Sequence, residues 1–276
     1  MKIYNTTLGP VLEHEDNFYS FKEHTFDTLV NYPDLYDYLK ESLSTKSAEE
    51  GFQLDASLLP PIVSQEVWAS GVTYLRSKNA RMEESKDAGG GDFYDRVYSA
   101  DRPEIFFKAT AARTVGHKQD IKIRRDSKWN VPEPELTLFI NSRSEIVGYT
   151  VGNDVSSRDI EGENPLYLPQ AKSYDKSAAI GPGILILKDP IAKETAIQLN
   201  IERAGETVFS QTTHLSQMKR ELPELVKYLT FDCTFPFGCF LMTGTGIVPP
   251  DDFSLIKGDT VHISIDNIGT LSNTVE

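Results

Sequence analysis

Residues 131–154 read VPEPELTLFINSRSEIVGYTVGND, and this stretch gives the clearest indication of local structure in the chain. Proline fixes its own backbone angle and favours an extended conformation in the residue before it, so VPEPE predicts a stiff strand. The runs ELTLFI and EIVGYTVG, separated by NSRS, predict two strands joined by a turn. Residues two apart in a strand lie on the same face. The stretch therefore predicts a hairpin that begins with two acidic side chains, Glu133 and Glu135, on one face.

This pair of glutamates has two interpretations. Carboxylates held on one face repel each other, and a hard divalent cation between them, such as Mg²⁺, Mn²⁺ or Ca²⁺, would remove the repulsion. Alternatively, the segment is an edge strand whose glutamates face water. The hairpin should return Asp154, 19 residues after Glu135, close to its start. That position favours a cation site with Asp154 as third ligand, although an Asp there is also suited to capping the helix-like SSRDIEG.

The remaining sequence is rich in strand-like runs. GILILK, AIQLNIER, ETVFSQ and DTVHISID follow one another with few helices between them. This order predicts an α+β protein built on a mixed, mostly antiparallel, strongly bent sheet. SQMKREL and PELVKYL predict one helix interrupted by a proline. Because Pro60-Pro61 breaks the chain, we expect a small N-terminal domain over 1–64 and a larger domain over 65–276.

Composition and charge restrict the partners. The chain has 28 basic and 41 acidic residues, and its net charge of -13 disfavours nucleic acid and anionic membrane surfaces. It shows neither an apolar run of membrane-spanning length nor a signal-like N-terminus. Cys233 and Cys239 match neither a redox pair nor half of a zinc site, which predicts buried thiols in a reducing cytoplasm. The glycine-rich loop over 86–92 is either a mobile lid or a surface turn.

Four separated motifs resemble the fumarylacetoacetate hydrolase superfamily over about residues 65–276. They are EPELTLFI, IVGYTVGNDVSSRD, NPLYLPQAKSYD and LMTGTG, and they occur in the family's order. The resemblance implies a metal-dependent catalytic domain with a bent, mixed β-roll, usually a homodimer. It also implies roles for individual residues: metal ligands at Glu133, Glu135 and Asp154, an active-site lysine at Lys172, a pair that holds substrate oxygens at Gly244-Thr245, and a substrate contact at Glu161, where many members have glutamine.

One departure from the family's pattern narrows the choice between hydrolysis and other reactions. Hydrolytic members tend to carry a histidine shortly after an early tyrosine, whereas GVTYLRSKNARMEES has none. Because hydrolysis needs a base that activates water, the sequence resembles instead the branch that dehydrates 2-keto-3-deoxy sugar acids, which shares TY-x-RS and EPEL. We expect Mg²⁺-dependent conversion of an acid such as 2-keto-3-deoxy-D-arabinonate to 2,5-dioxopentanoate through a metal-stabilised enolate.

In this reaction Lys172 is predicted to remove or relay a C3 proton, and Glu104, or a nearby water, to protonate the departing C4 hydroxyl. Arg76, Ser77 and Lys108 are candidate contacts to the substrate's carboxylate and hydroxyls. Each candidate has a structural alternative: Glu104 and Lys172 as surface residues, Arg76 as partner of a core carboxylate, and Lys108 as the end of a strand.

Other functions are compatible with the same residues. An acylpyruvate hydrolase would cleave a C–C bond with the same ion, and the fold would then have to bring a base such as His117 or His214 near. An oxaloacetate-type decarboxylase needs only the stabilised enolate. A non-catalytic module that binds a metal and an organic acid would keep the three carboxylates without needing Lys172.

Overall fold

The structure is a computed structural model that describes residues 1–84 and 91–276, with side chains described outside 83–93. The strands in chain order are β1 (Lys2–Thr6), β2 (Val11–His14), β3 (Asn17–Ser20), β4 (Leu58–Leu59), β5 (Glu66–Gly71), β6 (Glu104–Thr110), β7 (Thr114–Val115), β8 (Asn130–Val131), β9 (Pro134–Ile140), β10 (Ile146–Asp154), β11 (Ser156–Ser157), β12 (Ala178–Leu185), β13 (Ala196–Arg203), β14 (Glu206–His214), β15 (Cys239–Met242), β16 (Thr260–Ile265) and β17 (Gly269–Thr274). The helices are α1 (Phe26–Val30), α2 (Leu35–Ser42), α3 (Leu54–Ser57), α4 (Leu75–Glu84), α5 (Gly91–Ser99), α6 (Arg158–Glu163), α7 (Leu168–Lys172) and α8 (Leu222–Thr230).

The strands form a large sheet, a smaller sheet and the two-stranded antiparallel pair of β8 and β11. The large sheet runs β3-β2-β1-β12-β10-β9-β15-β5-β6, with β4 paired to β1 and β7 to β12, and the smaller sheet runs β14-β13-β16-β17. β15 with β5, and β12 with β7, are parallel pairs, whereas the other neighbours in these two sheets are antiparallel. Leu136 and Leu138 of β9 share a buried cluster with Leu199 and Ile263 of the smaller sheet. The predicted mixed, mostly antiparallel α+β fold is confirmed.

The first strands belong to the large sheet. β1 pairs with β12 and β2, and Ile3 and Leu29 lie in one buried apolar cluster with Phe139 and Phe240. This packing removes apolar surface of both regions from water together. The division between residues 64 and 65 into two domains stays a prediction.

The predicted β9–β10 hairpin forms because its turn satisfies its own backbone. The side-chain oxygen of Asn141 accepts the N–H groups of Arg143 and Glu145 at 2.9 and 3.0 Å. The strands then pair from Ile146 with Ile140 down to Asn153 with Pro134. This register sets the faces of every side chain in the two strands.

Some predictions about local structure were wrong. SQMKREL does not continue the helix of PELVKYL: Met218 forms a β-bridge with Tyr74, and the Lys219 N–H donates to the Thr73 carbonyl, so this backbone is held extended. Cys239 is buried as predicted, but Cys233 is exposed beyond the end of α8. Residues 86–90 of the predicted glycine-rich loop lie outside the described residues, so its role as a lid stays a prediction. Among the described helices, none combines the length and the apolarity that crossing a bilayer requires.

Candidate active site

The β9–β10 hairpin brings three carboxylates together. Glu135 pairs with Gly152, and the Asp154 N–H donates to the Glu133 carbonyl at 3.0 Å, so the acidic side chains share one face. Oxygens from Glu133, Glu135 and Asp154 lie within 4.8 Å of one another. Their exposed fractions are only 4%, 2% and 1%. Buried carboxylates at this spacing require compensating positive charge.

Two buried lysines supply part of that charge. Lys172, at the end of α7, places Nζ 2.5 Å from a Glu133 oxygen and 3.1 Å from an Asp154 oxygen, and donates to the Ser156 hydroxyl at 2.5 Å. Lys108 on β6 places Nζ 2.5 Å from the other Asp154 oxygen and donates to two main-chain carbonyls. Lys108 therefore orients Asp154, whereas Lys172 connects two of the carboxylates.

Two buried arginines, which the sequence analysis did not assign to the site, complete this carboxylate cluster. Arg158 at the start of α6 lies 2.5 Å from a Glu133 oxygen. Arg81 on α4 lies 2.9 Å from a Glu161 oxygen, and the same oxygen is 3.2 Å from Lys172. Glu161 thus forms ion pairs with both Arg81 and Lys172, and a neutral glutamine at this position could form neither.

The charges shift the pKa values in opposite directions. Burial alone would raise the pKa of Glu133, but the neighbouring cations, Lys172 first, hold it below its ordinary range. Burial, reinforced by the charges of Asp154 and Glu133, raises the pKa of Glu135 well above its ordinary value. Burial lowers the pKa of Lys108, whereas the carboxylates around Lys172 outweigh burial and raise its pKa. One carboxyl group of the three, Glu135, therefore lacks sufficient positive charge.

This donor set fits a hard divalent cation. Carboxylate oxygens are the protein ligands that Mg²⁺, Mn²⁺ and Ca²⁺ prefer. The raised pKa of Glu135 marks a deficit of positive charge beside its carboxyl group, which a divalent cation would remove. Glu133, Glu135 and Asp154 have the burial, spacing and chemistry for this role, and their action as ligands stays a prediction.

Gly244 reaches the cluster through its backbone. Its N–H donates to a Glu135 oxygen at 2.5 Å. Its φ of +91° suits glycine, and a Cβ atom there would lie 2.0 Å from the Thr73 hydroxyl. The Thr245 hydroxyl is bonded within its own turn to the carbonyl and N–H of Ile247. Gly244 therefore orients Glu135, and Thr245 shapes the turn that presents Gly244.

Glu104 lies at the start of β6, opposite Gly71 of β5. A Cβ atom on Gly71 would lie 2.0 Å from the Glu104 Oε2 atom, so the glycine leaves space for the carboxyl group. Burial raises the pKa of Glu104 against the opposing charges of Arg81 and Lys172. A carboxyl group with a raised pKa beside the charged cluster has the property required of a general acid.

Two predicted substrate contacts, Arg76 and Ser77, lie on α4, and their contact with a substrate stays a prediction. Arg76 is exposed on α4, and the Ser77 hydroxyl donates to the Tyr74 carbonyl at 2.8 Å. Arg81 is the α4 arginine that reaches the carboxylates. Tyr74, Ser77 and Arg81 are all buried at helical spacing in the structure, but the burial of Arg81 depends on partners from distant parts of the chain and left no local signal in the sequence. Arg158 lies inside the IVGYTVGNDVSSRD motif, but its charge gave no sign of burial.

In the part of the chain that the structure describes, no histidine bonds to the cluster. The His117 ring accepts the Ser272 N–H at 3.1 Å, and His214 is exposed at the end of β14. Neither histidine supplies the carboxylates with a base that activates water.

Three buried carboxylates on one hairpin, with lysines beside them, define a candidate site of a metal-dependent enzyme. The family described as "Fumarylacetoacetate (FAA) hydrolase C-terminal" matches residues 67–276, and the chain belongs to this family.

Similar proteins within the family carry dehydratase names. The chain is 51% identical over 225 residues to a probable 2-keto-3-deoxyxylonate dehydratase of Haloferax volcanii, covering 80% of this chain and 76% of the relative. It is 43% identical over 236 residues to the 2-dehydro-3-deoxy-D-arabinonate dehydratase of Saccharolobus solfataricus, covering 84% and 78%. A solved structure of 2-keto-3-deoxy-D-arabinonate dehydratase complexed with magnesium and 2,5-dioxopentanoate superposes with a TM-score of 0.84 at 34% identity, covering 100% of this chain and 99% of that one.

Proposed function

We propose that this protein catalyses the Mg²⁺-dependent dehydration of a 2-keto-3-deoxy sugar acid, with 2-keto-3-deoxypentonates as substrates and 2,5-dioxopentanoate as product. One observation carries the proposal: three converging carboxylates lie beside Lys172, and Glu104, whose pKa is raised by burial, interacts electrostatically with the same cluster. The dehydratase names of the relatives, and the solved structure with magnesium and 2,5-dioxopentanoate, support it.

Dehydration takes one proton from C3 and gives one proton to the C4 hydroxyl. When bound, a divalent cation supplies positive charge at the carboxylates and at the substrate's C2 oxygen, which favours loss of the Lys172 proton and build-up of charge on that oxygen. Lys172 then takes the C3 proton, and the electron pair of the C3–H bond becomes the C3=C4 double bond. The C4–O bond breaks as Glu104 protonates the leaving hydroxyl, and water departs. One proton then moves from C5 to C3, and the resulting C4=C5 enol tautomerises to the 2,5-dioxo acid.

Other residues of the cluster position these groups. Arg158 fixes Glu133, Lys108 fixes Asp154, and the Gly244 N–H fixes Glu135. We propose that Glu161, which lies between Arg81 and Lys172, contacts the substrate and also sets the position of the lysine.

The test is product analysis by mass spectrometry. The purified protein is incubated with Mg²⁺ and a panel of 2-keto-3-deoxy acids, acylpyruvates and oxaloacetate, with Glu135→Gln as the matched variant. We expect loss of one water from a 2-keto-3-deoxy acid, and no turnover by the variant. Cleavage of acylpyruvates or decarboxylation of oxaloacetate in its place would assign the rival reactions. Binding without turnover of any compound would assign the non-catalytic module.

We further propose that the protein works as a homodimer in the cytoplasm. The family resemblance supports the dimer, and the unpaired thiols of Cys233 and Cys239 are compatible with a reducing compartment. Light scattering coupled to size-exclusion chromatography measures the assembly, and a monomeric mass would contradict the dimer.

A further inference from the structure

A cleft of about 720 Å³ opens beside Glu104. Its walls come from α5, from β6 and from the segment that leads into α7. Glu104 lines this cleft and is also coupled electrostatically to Lys172 and Arg81 of the charged cluster. The cleft therefore continues the proposed reaction site beyond the carbon whose hydroxyl leaves.

The lining of the cleft is chemically unlike a sugar acid. Among the lining residues that the structure describes, three carry polar side chains: Glu104, Asn164, whose side-chain oxygen accepts the Leu166 N–H at 3.0 Å, and Tyr94, whose ring packs on Arg81 at 5.8 Å. The apolar part of the lining consists of Val97, Pro103, Ile105, Pro165, Leu166 and Leu168. A methyl group that contacts this wall removes apolar surface from water and is stabilised, whereas a hydroxyl group there faces mostly apolar side chains.

We propose that this cleft binds the distal end of the substrate and that, among six-carbon 2-keto-3-deoxy acids, it favours one that ends in a methyl group over one that ends in a hydroxymethyl group. The inference rests on the proposed function, because it places C4 at Glu104 and therefore C5 and C6 in the cleft. The reaction needs no co-reactant: a C3 proton and the C4 hydroxyl leave as water, and the C5 hydroxyl becomes a carbonyl. The product is 2,5-dioxohexanoate.

The matched test compares two six-carbon acids of the same configuration, one ending in methyl and one in hydroxymethyl, with the five-carbon acid as reference. We expect kcat/KM to be roughly fourfold higher for the methyl acid than for the hydroxymethyl acid, the factor that corresponds to burying one methyl-sized group. Equal values, or a preference for hydroxymethyl, would overturn the assignment of the cleft. Turnover of none of the three acids would instead overturn the proposed dehydratase function.

A substitution in the lining tests whether the cleft causes the preference for the methyl acid over the hydroxymethyl acid. Leu168→Gln adds a polar group to the cleft at a half-buried position and should bring the methyl-to-hydroxymethyl ratio close to one. Val208→Gln, at a side chain 42% exposed on β14 and outside the cleft lining, is the control and should keep the wild-type ratio. If Leu168→Gln keeps the ratio, or if it dissociates an oligomer of the protein, the cleft has another occupant and the proposal fails.

Discussion

At the scale of single residues, the fold raises the pKa of both groups proposed to move protons. Burial raises the pKa of Glu104, and the surrounding carboxylates raise the pKa of Lys172 against the effect of burial. Glu104 is thus ready to donate its proton. Lys172 becomes a base only when the negative charge around it is compensated, which makes the acid and base functions depend on the same cluster.

Replacing the proposed acid tests this assignment. Glu104→Gln should lower kcat by roughly 10²–10⁴, the usual contribution of one general acid. Because its pKa is raised, Glu104 stays protonated above the ordinary carboxyl range, and wild-type kcat should fall as pH rises through that pKa. The variant should lack this decline. The Mg²⁺-induced rise in melting temperature serves as the control and should persist, whereas wild-type kcat in the variant would refute the role of Glu104.

Some of these residues were accessible from sequence and others were not. Glu133, Glu135, Asp154 and Lys172 stand in local motifs whose chemistry is visible residue by residue. Arg81, and likewise Arg158, is a charged residue whose burial depends on partners from distant parts of the chain. No local pattern of charge distinguishes either arginine from the exposed Arg76.

At the scale of secondary structure, pairs of neighbouring elements hold the reacting groups. The β9–β10 hairpin was predictable, because apolar periodicity and the NSRS turn are local signals. The β5–β6 pair, which places Gly71 against Glu104, was not, because 32 residues between these strands include the stretch around α4 and α5. SQMKREL was mistaken for helix because its backbone partners, Thr73 and Tyr74, lie far away in sequence.

The Gly71–Glu104 contact predicts a non-additive pair of mutations. Gly71→Ala introduces a Cβ atom 2.0 Å from the position of the carboxyl oxygen, so the carboxyl group must move. We expect kcat to fall at least about tenfold, as for misplaced catalytic groups generally. In a Glu104→Gln background the same change should have little further effect on kcat. Additive losses measured in this double-mutant cycle would show that Gly71 acts by another route.

Arg220, just before α8, anchors the end of α5. Its buried guanidinium donates to the carbonyls of Val97, Ala100 and Asp101 at 2.6–3.0 Å and pairs with Glu224 at 2.8 Å. These carbonyls lie at the C-terminal end of the helix, where a cation is most favourable.

Removing this anchor should loosen one wall of the cleft. Arg220→Met should lower the free energy of unfolding by about 2–4 kcal/mol, because it removes several buried bonds to a charged group. KM should rise more than kcat falls, since α5 lines the cleft and carries none of the proposed proton-transfer groups. Glu224→Gln removes the ion pair but keeps the carbonyl bonds, and is the control expected to stay near wild type. Denaturant unfolding and steady-state kinetics measure both variants. Equal losses in the two would show that the ion pair with Glu224, and not the bonds to the α5 carbonyls, stabilises this region.

At the scale of the whole molecule, one cluster joins elements from across the chain. The carboxylates come from one hairpin, the lysines from β6 and α7, and the arginines from α4 and α6. The sequence predicted that the site lies on a mixed, mostly antiparallel sheet, because strand-like runs are numerous and consecutive. The contact between these elements is a property of the complete fold. The sheet also extends across the predicted boundary at residue 64, because β1 pairs with β12.

The charge deficit of the cluster predicts how stability depends on cation and pH. Since the pKa of Glu135 is raised in the fold, the stability of the cation-free protein that depends on this group is present at low pH and is lost as pH rises through the raised pKa. Protons compete with the cation for this carboxyl group, so Mg²⁺ should raise the melting temperature more at roughly pH 7.5 than at roughly pH 5.5. Thermal unfolding with and without Mg²⁺ measures the difference. In Glu135→Gln the dependence of the Mg²⁺ effect on pH should largely disappear, and an unchanged dependence would remove Glu135 from the site.

The most direct measurement is anomalous diffraction from crystals grown with Mn²⁺ and a non-reactive 2-oxo acid. We predict one strong peak with an oxygen atom from each of Glu133, Glu135 and Asp154 at about 2.0–2.2 Å, and the 2-oxo acid bound to the same ion. A peak elsewhere, or carboxylates that stay paired with Lys172 and Lys108 at saturating Mn²⁺ without any ion among them, would contradict the account.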